Sequence, residues 1–348
     1  MIVRSPRAET SRLLLALAAV AVGFSLQACS SAVPAMVREP RSGPVVLPAG
    51  GSSFFQFEST RVARHEGGEV AWEAEHPSAG PPVVGAVDLS SAWAAVGYER
   101  RLAFVQLSTR KVSWVPSPLV GRLSDLSIRG ETALLRDGSR VLAIRVPSGS
   151  VLWEHEFASH LEQSEVNSLD YALPESDDEI VVLASRQGTA WTDGVVKVQR
   201  LDRSRGNWRV RNENRLPGFT WVHQAESDGA ELYVAGLREE TQRRVGGAGR
   251  LWQWLVISKV DLGSLEATEL VYTVRQERET VVTDLVIGTG AVAVILDGRT
   301  LQVFRLVEGG TASAPIFERT FAKADSVAWI SDQELVVQTA NGTELVRY

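Results

Sequence analysis

The sequence has one cysteine, two methionines and five histidines in 348 residues. A single thiol cannot form an internal disulfide, a thiolate metal cluster or a dithiol redox couple. Long apolar runs are missing too. The uncharged stretch from Leu13 to Leu26 is 14 residues, whereas a bilayer span needs about 20. Outside the N-terminus no segment shows apolar residues at helical spacing, which argues against a helical fold. The net charge of −6 argues against nucleic acid, which is bound through clustered Lys and Arg that neutralise phosphates. No Gly-x-Ser-x-Gly elbow and no Asp-x-Asp-x-Asp-Gly loop occurs.

The one cysteine, Cys29, ends the run Leu26-Gln27-Ala28-Cys29. Before it stand Arg4, Arg7 and Arg12 with one acid, Glu9, and then the apolar stretch. A charged segment, an apolar core and a small residue at the cut are the parts of an export signal. The run resembles the lipobox of bacterial lipoproteins, with Gln27 a less typical choice at its position. The resemblance implies cleavage before Cys29 and acylation of its thiol and new amino group. Ser30 after it is compatible with sorting to the outer membrane, facing the periplasm or the cell surface. Removing residues 1–28 leaves a charge of −8, too acidic for attachment through a polybasic patch, so the acyl chains would do the anchoring. Residues 30–52 are rich in Ser, Ala, Pro and Gly and read as a tether. The expected organisation is a signal peptide over 1–28, a lipidated Cys with tether over 29–52, and a folded domain over 53–348.

That domain carries a repeat with a period of about 40, the mark of a propeller or array. Its plainest sign is a turn followed by an apolar strand with Trp: Gly67 to Trp72, Thr109 to Trp114 and Ser148 to Trp153. A degenerate copy runs from Arg205 to Trp208, and a Trp-less one from Leu262 to Leu265. Hairpins precede these copies, joined by dipeptides such as Asp137-Gly138 and Asp297-Gly298, which supply the positive φ of tight turns. Four short strands cannot bury a face alone, whereas several such units arranged radially can. The expected fold is all-β, a single β-propeller of about seven four-stranded blades. The blades fall at 44–77, 81–117, 119–158, 164–212, 217–274, 280–320 and 323–348. The last shows three strands, so an N-terminal strand, from Ala35–Arg38 or Val45–Leu47, is expected to complete it and close the ring.

The Trp-ended unit, closest at Ser148–Trp153, resembles the quinoprotein-like (PQQ-repeat-like) propeller repeat. As a lipoprotein of this class the chain is similar to the propeller subunit of the outer-membrane β-barrel assembly machinery, a family with eight blades. That resemblance implies a non-catalytic scaffold for envelope proteins, a monomer within a complex. Quinone-dependent enzymes of the fold are longer and hold a calcium-bound cofactor, so neither cofactor nor enzymatic activity is expected here.

His155-Glu156-Phe157-Ala158-Ser159-His160 approaches the zinc-protease motif, but its histidines stand at i and i+5, off one helical face. The segment is expected to continue a strand as exposed blade-edge sequence. Gly246-Gly247-Ala248-Gly249 is followed by no helix to receive a phosphate, and reads as a turn. Acids recur in the first strand of most blades: Asp88, Asp125, Asp170, Asp284 and Asp325, with His223 in the fifth. They could ring the channel and hold a cation, making the chain a ligand-binding propeller or an enzyme. The favoured reading is that each caps a local turn, because carboxylates in a ring repel one another. Two insertions, Arg186–Asp193 and Arg238–Gln253, lengthen the loops between the second and third strands of adjacent blades. They carry Trp191, Arg243, Arg244 and Trp252, residue types favoured as interface anchors. These four are the expected partner-binding residues. A different reading has Trp252 and Trp254 beginning the third strand and packing inward.

Overall fold

In a computed structural model the described residues are 44–348 apart from 51–52, 68, 76–79, 89, 120–121, 187–193, 243–249, 276–279 and 308–310. They form seven antiparallel sheets, one after another along the chain. Blade 1 holds β1 Val45–Gly50, β2 Ser53–Phe57, β3 Arg61–Glu66 and β4 Glu69–Glu75. Blade 2 holds β5 Pro82–Asp88, β6 Trp93–Tyr98, β7 Arg101–Gln106 and β8 Lys111–Pro116. Blade 3 holds β9 Asp125–Arg129, β10 Thr132–Asp137, β11 Arg140–Arg145 and β12 Val151–Glu156. A short helix, α1 Ala158–Gln163, leads to blade 4: β13 Ser168–Ser176, β14 Glu179–Arg186, β15 Val195–Ser204 and β16 Asn207–Leu216. Blade 5 holds β17 Trp221–Ser227, β18 Glu231–Gln242, β19 Arg250–Asp261 and β20 Ala267–Arg275. Blade 6 holds β21 Val282–Gly288, β22 Ala291–Leu296, β23 Thr300–Arg305 and β24 Phe317–Thr320. Blade 7 holds β25 Ala324–Ser331, β26 Glu334–Thr339 and β27 Gly342–Arg347. In every sheet the strands lie in chain order, and the inner strands meet in sequence until β25 meets β1. The fold is a seven-bladed β-propeller.

Burial explains why the middle strands read as continuous apolar runs. In β22 all six residues, Ala291-Val292-Ala293-Val294-Ile295-Leu296, are buried. Both faces of a blade are covered by neighbouring blades, so alternation with polar residues disappears there. Outer strands have no such cover, and β4 and β16 are mostly exposed.

The core is divided into seven clusters, one at each blade junction. Six of them join 11 to 14 buried residues. Among the described residues the cluster between blades 7 and 1 has five: Val46, Phe54, Ala328, Ile330 and Val336. The Trp-ended strands serve two of the other junctions, Trp72 and Trp114 between blades 1 and 2, and Trp153 and Trp208 between blades 3 and 4. Gly149 at φ 71° turns the chain into β12, which is the outermost strand of blade 3. Trp153 of β12 is 4% exposed. Its ring lies 4.7 Å from Trp208 of blade 4, and its Nε1 donates to the Asp177 carbonyl at 2.7 Å. At the Trp-less copy Leu265 holds the same turn, at φ 62°, and is fully buried.

Polar staples cross the junctions as well. Asp88 ends β5, and its Oδ1 accepts the Ser90 hydroxyl at 2.6 Å and the Ser90 amide at 3.0 Å. Its Oδ2 accepts the Gly130 amide of blade 3 at 2.8 Å. Burial alone would raise this carboxyl's pKa, but the hydrogen bonds from Ser90, Ser91 and Gly130 outweigh it and hold the pKa below the usual aspartate value. Asp284 Oδ2 accepts the Val327 amide of blade 7 at 2.9 Å. Between blades 4 and 5, Asn214 Nδ2 donates to the Leu265 carbonyl at 2.8 Å. Thr343 Oγ1 donates to Gln56 Oε1 at 3.2 Å across the closing junction.

Three expectations need correction. Val45–Leu47 neither complete blade 7 nor belong to a tether: they lie in β1, the inner strand of blade 1, paired with β2. Their burial, with Val45 fully buried, gives an apolar Val-Val-Leu run a better place than a solvated linker. The propeller therefore includes Val45, as the blade expected over 44–77 has it, and residues 45–50 are not tether. The other closing segment, Ala35–Arg38, lies outside the described residues, as does Cys29; among the described residues blade 7 has three strands. Finally, the strand bearing His155 stops at Glu156, and His160 sits in α1. Phe157, fully buried, breaks the alternation at this point, and a helix of six residues is too short to leave a 3.6 period.

Two consequences can be measured. Trp153→Ala should lower unfolding free energy by about 3–5 kcal/mol, the usual cost of truncating a buried Trp, and chemical denaturation reads it; Trp153 would be ornamental if the variant matched the parent. Asp88→Ala should cost about 2 kcal/mol at neutral pH, where a carboxylate accepting several N–H and O–H groups is ionised. Because its folded pKa lies below the unfolded value, this contribution is complete above about pH 4 and fades as pH falls through the folded pKa. The gap between parent and variant should therefore close on acidification, and a gap that widened would contradict the assignment.

Candidate functional site

Blade 5 departs from the others in its second and third strands. β18 and β19 are 12 residues each, whereas the corresponding strands of blades 1, 2, 3, 6 and 7 have five or six. The hairpin therefore runs on past the rest of the sheet. The expected insertion Arg238–Gln253 is in part this ladder: β18 continues to Gln242, β19 resumes at Arg250, and Trp252 pairs with Glu240. In blade 4 β14 likewise continues to Arg186 and β15 resumes at Val195. Trp191, Arg243, Arg244 and the run Gly246-Gly247-Ala248-Gly249 lie outside the described residues.

The foot of the long hairpin is held by polar contacts. Buried Gln253 donates from Nε2 to Glu239 Oε1 at 2.6 Å, and its Oε1 accepts the Thr280 amide at 3.2 Å. Trp252 is half-buried. Trp254, also half-buried, stacks on Tyr272 of β20 at 6.0 Å with rings 12° apart. Both tryptophans thus belong to the third strand.

The two lengthened loops share a footing. Thr220 Oγ1 accepts the Glu239 amide of β18 at 2.9 Å. Gly194, the residue before β15, packs against the same spot: a Cβ there would stand 2.7 Å from the Phe219 carbonyl oxygen and 2.8 Å from that of Thr220. Such separations are closer than carbon and oxygen tolerate, so glycine is what lets the blade 4 loop start beside the blade 5 hairpin. The anchor types proposed from sequence are therefore carried by segments whose feet converge on Thr220.

Asp125 and Asp284 share one register, Asp170, Asp325 and His223 bulge within one residue of it, and Asp88 alone lies at the far end of its strand. Asp125 begins β9, Asp88 ends β5, and Asp170 and Asp325 occupy bulges in β13 and β25, where His223 stands in β17. Asp284 follows a bulge in β21. Each has neighbours of its own: Asp125 accepts the Leu126 amide at 2.9 Å and lies 3.5 Å from Arg136. Asp170 accepts the Ser168 hydroxyl at 2.8 Å, and Asp325 pairs with Lys323 at 2.8 Å. His223 Nδ1 accepts the Val282 amide at 3.1 Å. Among the described residues no three His, Cys, Asp or Glu side chains form a group that could hold a metal ion.

Sequence reasoning missed a polar cluster beneath α1. Fully buried Gln199 of β15 meets His160 Nε2 at 3.2 Å, and donates from Nε2 to the Ser164 hydroxyl at 3.2 Å and to Glu213 at 2.8 Å. It fastens the helix to blade 4. The only signal was a polar residue inside an apolar strand, and Gln302 repeats it by donating to Glu318. A cleft of about 200 Å³ opens between blades 6 and 7, lined by Arg319, Phe321, Lys323, Asn341 and Glu344 among others. Arg319 there pairs with Glu344 at 2.7 Å and covers the Phe321 ring at 4.7 Å. The volume falls below the ~300–1,000 Å³ of ordinary ligand sites.

No protein-family model matches the chain, and no curated protein matches it either. Solved structures do. The β-propeller domain of Cps50 (Swd1) from Myceliophteria thermophila superposes with a TM-score of 0.60 at 8% identity, covering 90% of this chain and 98% of that one. Hsv2 from Kluyvelomyces marxianus gives 0.54 at 11% identity over 88% and 92%. The WD40 domain of Pan2 from Neurospora crassa gives 0.50 at 11% identity over 91% and 91%. At such identities the likeness speaks for the fold, and a WD40-like seven-bladed propeller is what this chain shares with them.

Proposed function

We propose that this chain is a lipid-anchored propeller of the bacterial envelope that docks partner proteins and performs no catalysis. The observation that carries the reading is the projecting β18–β19 hairpin, footed with the blade 4 loop on Thr220. Rigid feet lower the ordering cost that a binding loop pays on association. Trp and Arg are the side chains that contribute most when desolvated at the centre of an interface, and the two segments supply Trp191, Arg243, Arg244 and Trp252. The anchor rests on Cys29 after the apolar stretch, with the acyl chains holding the protein at the outer membrane. The docked proteins would be envelope proteins, with outer-membrane protein assembly the setting that the repeat and lipobox resemblances suggest.

Fractionation tests the anchor: Cys29→Ser should move the protein from the membrane pellet to the soluble fraction, and a variant that pellets as the parent does under conditions that strip peripheral proteins refutes the lipidation. For docking, proteins co-purifying from native membranes are compared between the parent, the Ala variant at Trp191, Arg243, Arg244 and Trp252, and Asp125→Asn with Asp284→Asn. The Ala variant should keep its melting temperature and lose its partners, since removing one such anchor costs about 2 kcal/mol or more. The Asp variants should retain them. The reverse pattern would move the site to the channel and favour a cation-binding propeller.

A further inference from the structure

The outer strands of blades 1 and 4 carry opposite charge. From Val195 to Leu216, which spans β15 and β16, there are seven Lys or Arg against two acids, in a chain whose net charge is −6. Arg200 lies 3.5 Å from Glu179, Arg203 lies 3.6 Å from Asp178, and Arg211 lies 3.5 Å from Glu179. Arg209 and Arg215 are exposed on β16 and make no ion pair within the described residues. β4 is the converse: Glu69, Glu73 and Glu75 in seven residues, with no Lys or Arg. Glu73 sits 3.5 Å from Arg61, while Glu69 and Glu75 are exposed and make no ion pair within the described residues.

Both strands also end their sheets, so each presents unpaired backbone N–H and C=O groups that can accept another strand. Each exposes a valine on that edge, Val70 at 49% and Val210 at 40%. An outer edge of this ring already takes such an addition. On blade 5, Val271 of β20 bridges Ala312 in parallel. There the Tyr272 amide donates to the Ala312 carbonyl at 3.0 Å, and the Ala312 amide to that of Leu270 at 2.7 Å. No strand covers β16 or β4 among the described residues.

We propose that copies of this chain associate edge to edge, β4 of one copy adding to β16 of the next. Like charges facing across a strand pair destabilise it, so Glu beside Glu disfavours β4 with β4, and Arg beside Arg disfavours β16 with β16. The remaining pairing, acid on base, gains both charge attraction and backbone hydrogen bonds. The two strands stand three blades apart in a ring of seven, on nearly opposite sides. A head-to-tail contact between unlike surfaces so placed does not close at two copies and grows into chains. All outer strands run in one sense around the ring, so discs in one plane with the same face up pair them in parallel, as Val271 and Ala312 do. The contact is small, and it forms at high local concentration. It uses neither the loops nor the lipid of the proposed docking function, so either idea can fail alone.

Sedimentation velocity on the purified full chain in detergent, at up to about 100 µM and low salt, should show its average mass rising at least about twofold, and about 0.5 M NaCl should reverse the rise by screening. Glu69→Lys with Glu75→Lys, and separately Arg209→Glu with Arg215→Glu, should each remain monomeric with unchanged melting curves. Mixed in equal amounts, the intact β16 of one variant meets the intact β4 of the other, and the two reversed edges complement each other as well, so the mixture should regain growth into chains. The Gln variants at the same four positions should assemble more weakly than the parent, whatever the tolerance for reversed charge. A parent that stays monomeric over this range overturns the proposal. So do variants that assemble as the parent does, or folded variants whose mixture stays monomeric; binding of an unrelated acidic peptide by a monomeric parent would assign β16 to a different protein.

Discussion

Every blade of this protein depends on having another blade on each side. A four-stranded antiparallel sheet whose middle strands are apolar on both faces has no stable existence in water until both faces are covered. Here the covering is supplied by seven junction clusters arranged around the ring. Closure is therefore the condition on which each local element rests. Where the first and last blades meet, the described residues supply a cluster of five buried side chains and the Thr343–Gln56 hydrogen bond. Opening that junction exposes β1 and β25 together.

Polar groups follow the same logic. Buried carboxylates and amides persist only where their hydrogen bonds are met, and in this ring they are met across junctions: Asp88 by Gly130, Asp284 by Val327, Asn214 by Leu265. Two of the first-strand acids, Asp88 and Asp284, stitch successive blades in this way. The same economy leaves the periphery free. Outer strands give the core fewer residues than the middle strands do, so their sequences vary in charge and length, and what distinguishes one blade from another lies in outer strands and loops: the long hairpin of blade 5, the basic strand of blade 4, the acidic strand of blade 1.

Blade number and blade boundaries were legible in the amino-acid sequence because they depend on short-range chemistry. Turns that need positive φ announce themselves as Gly67, Gly138 and Gly149, or Asp297-Gly298, and the apolar strands between them are spaced by the length of a blade. Trp72, Trp114, Trp153 and Trp208, in the outer strands of blades 1 to 4, mark the phase. The error at β1 came from Pro48 and the glycines near it, whose composition suggests a linker; burial of Val45 against blade 2 decided otherwise. The helix α1 was hidden because six residues are too few for a period, and its hold on blade 4 comes from Gln199, some 40 positions away.

For the candidate site the division is sharper. The sequence by itself identified the residue types and which loops were long, since insertions and Trp or Arg content need no partner to be recognised. Only tertiary structure decided that Arg238–Gln242 and Arg250–Gln253 are ladder, that Gly194 and Thr220 bring two loops to one footing, and that Asp88 stands apart from the other first-strand acids. A β-bulge shifts register by one residue, and whether a strand bulges depends on how its sheet fits its neighbours. Local chemistry determines where this chain turns; packing between blades determines what each side chain faces.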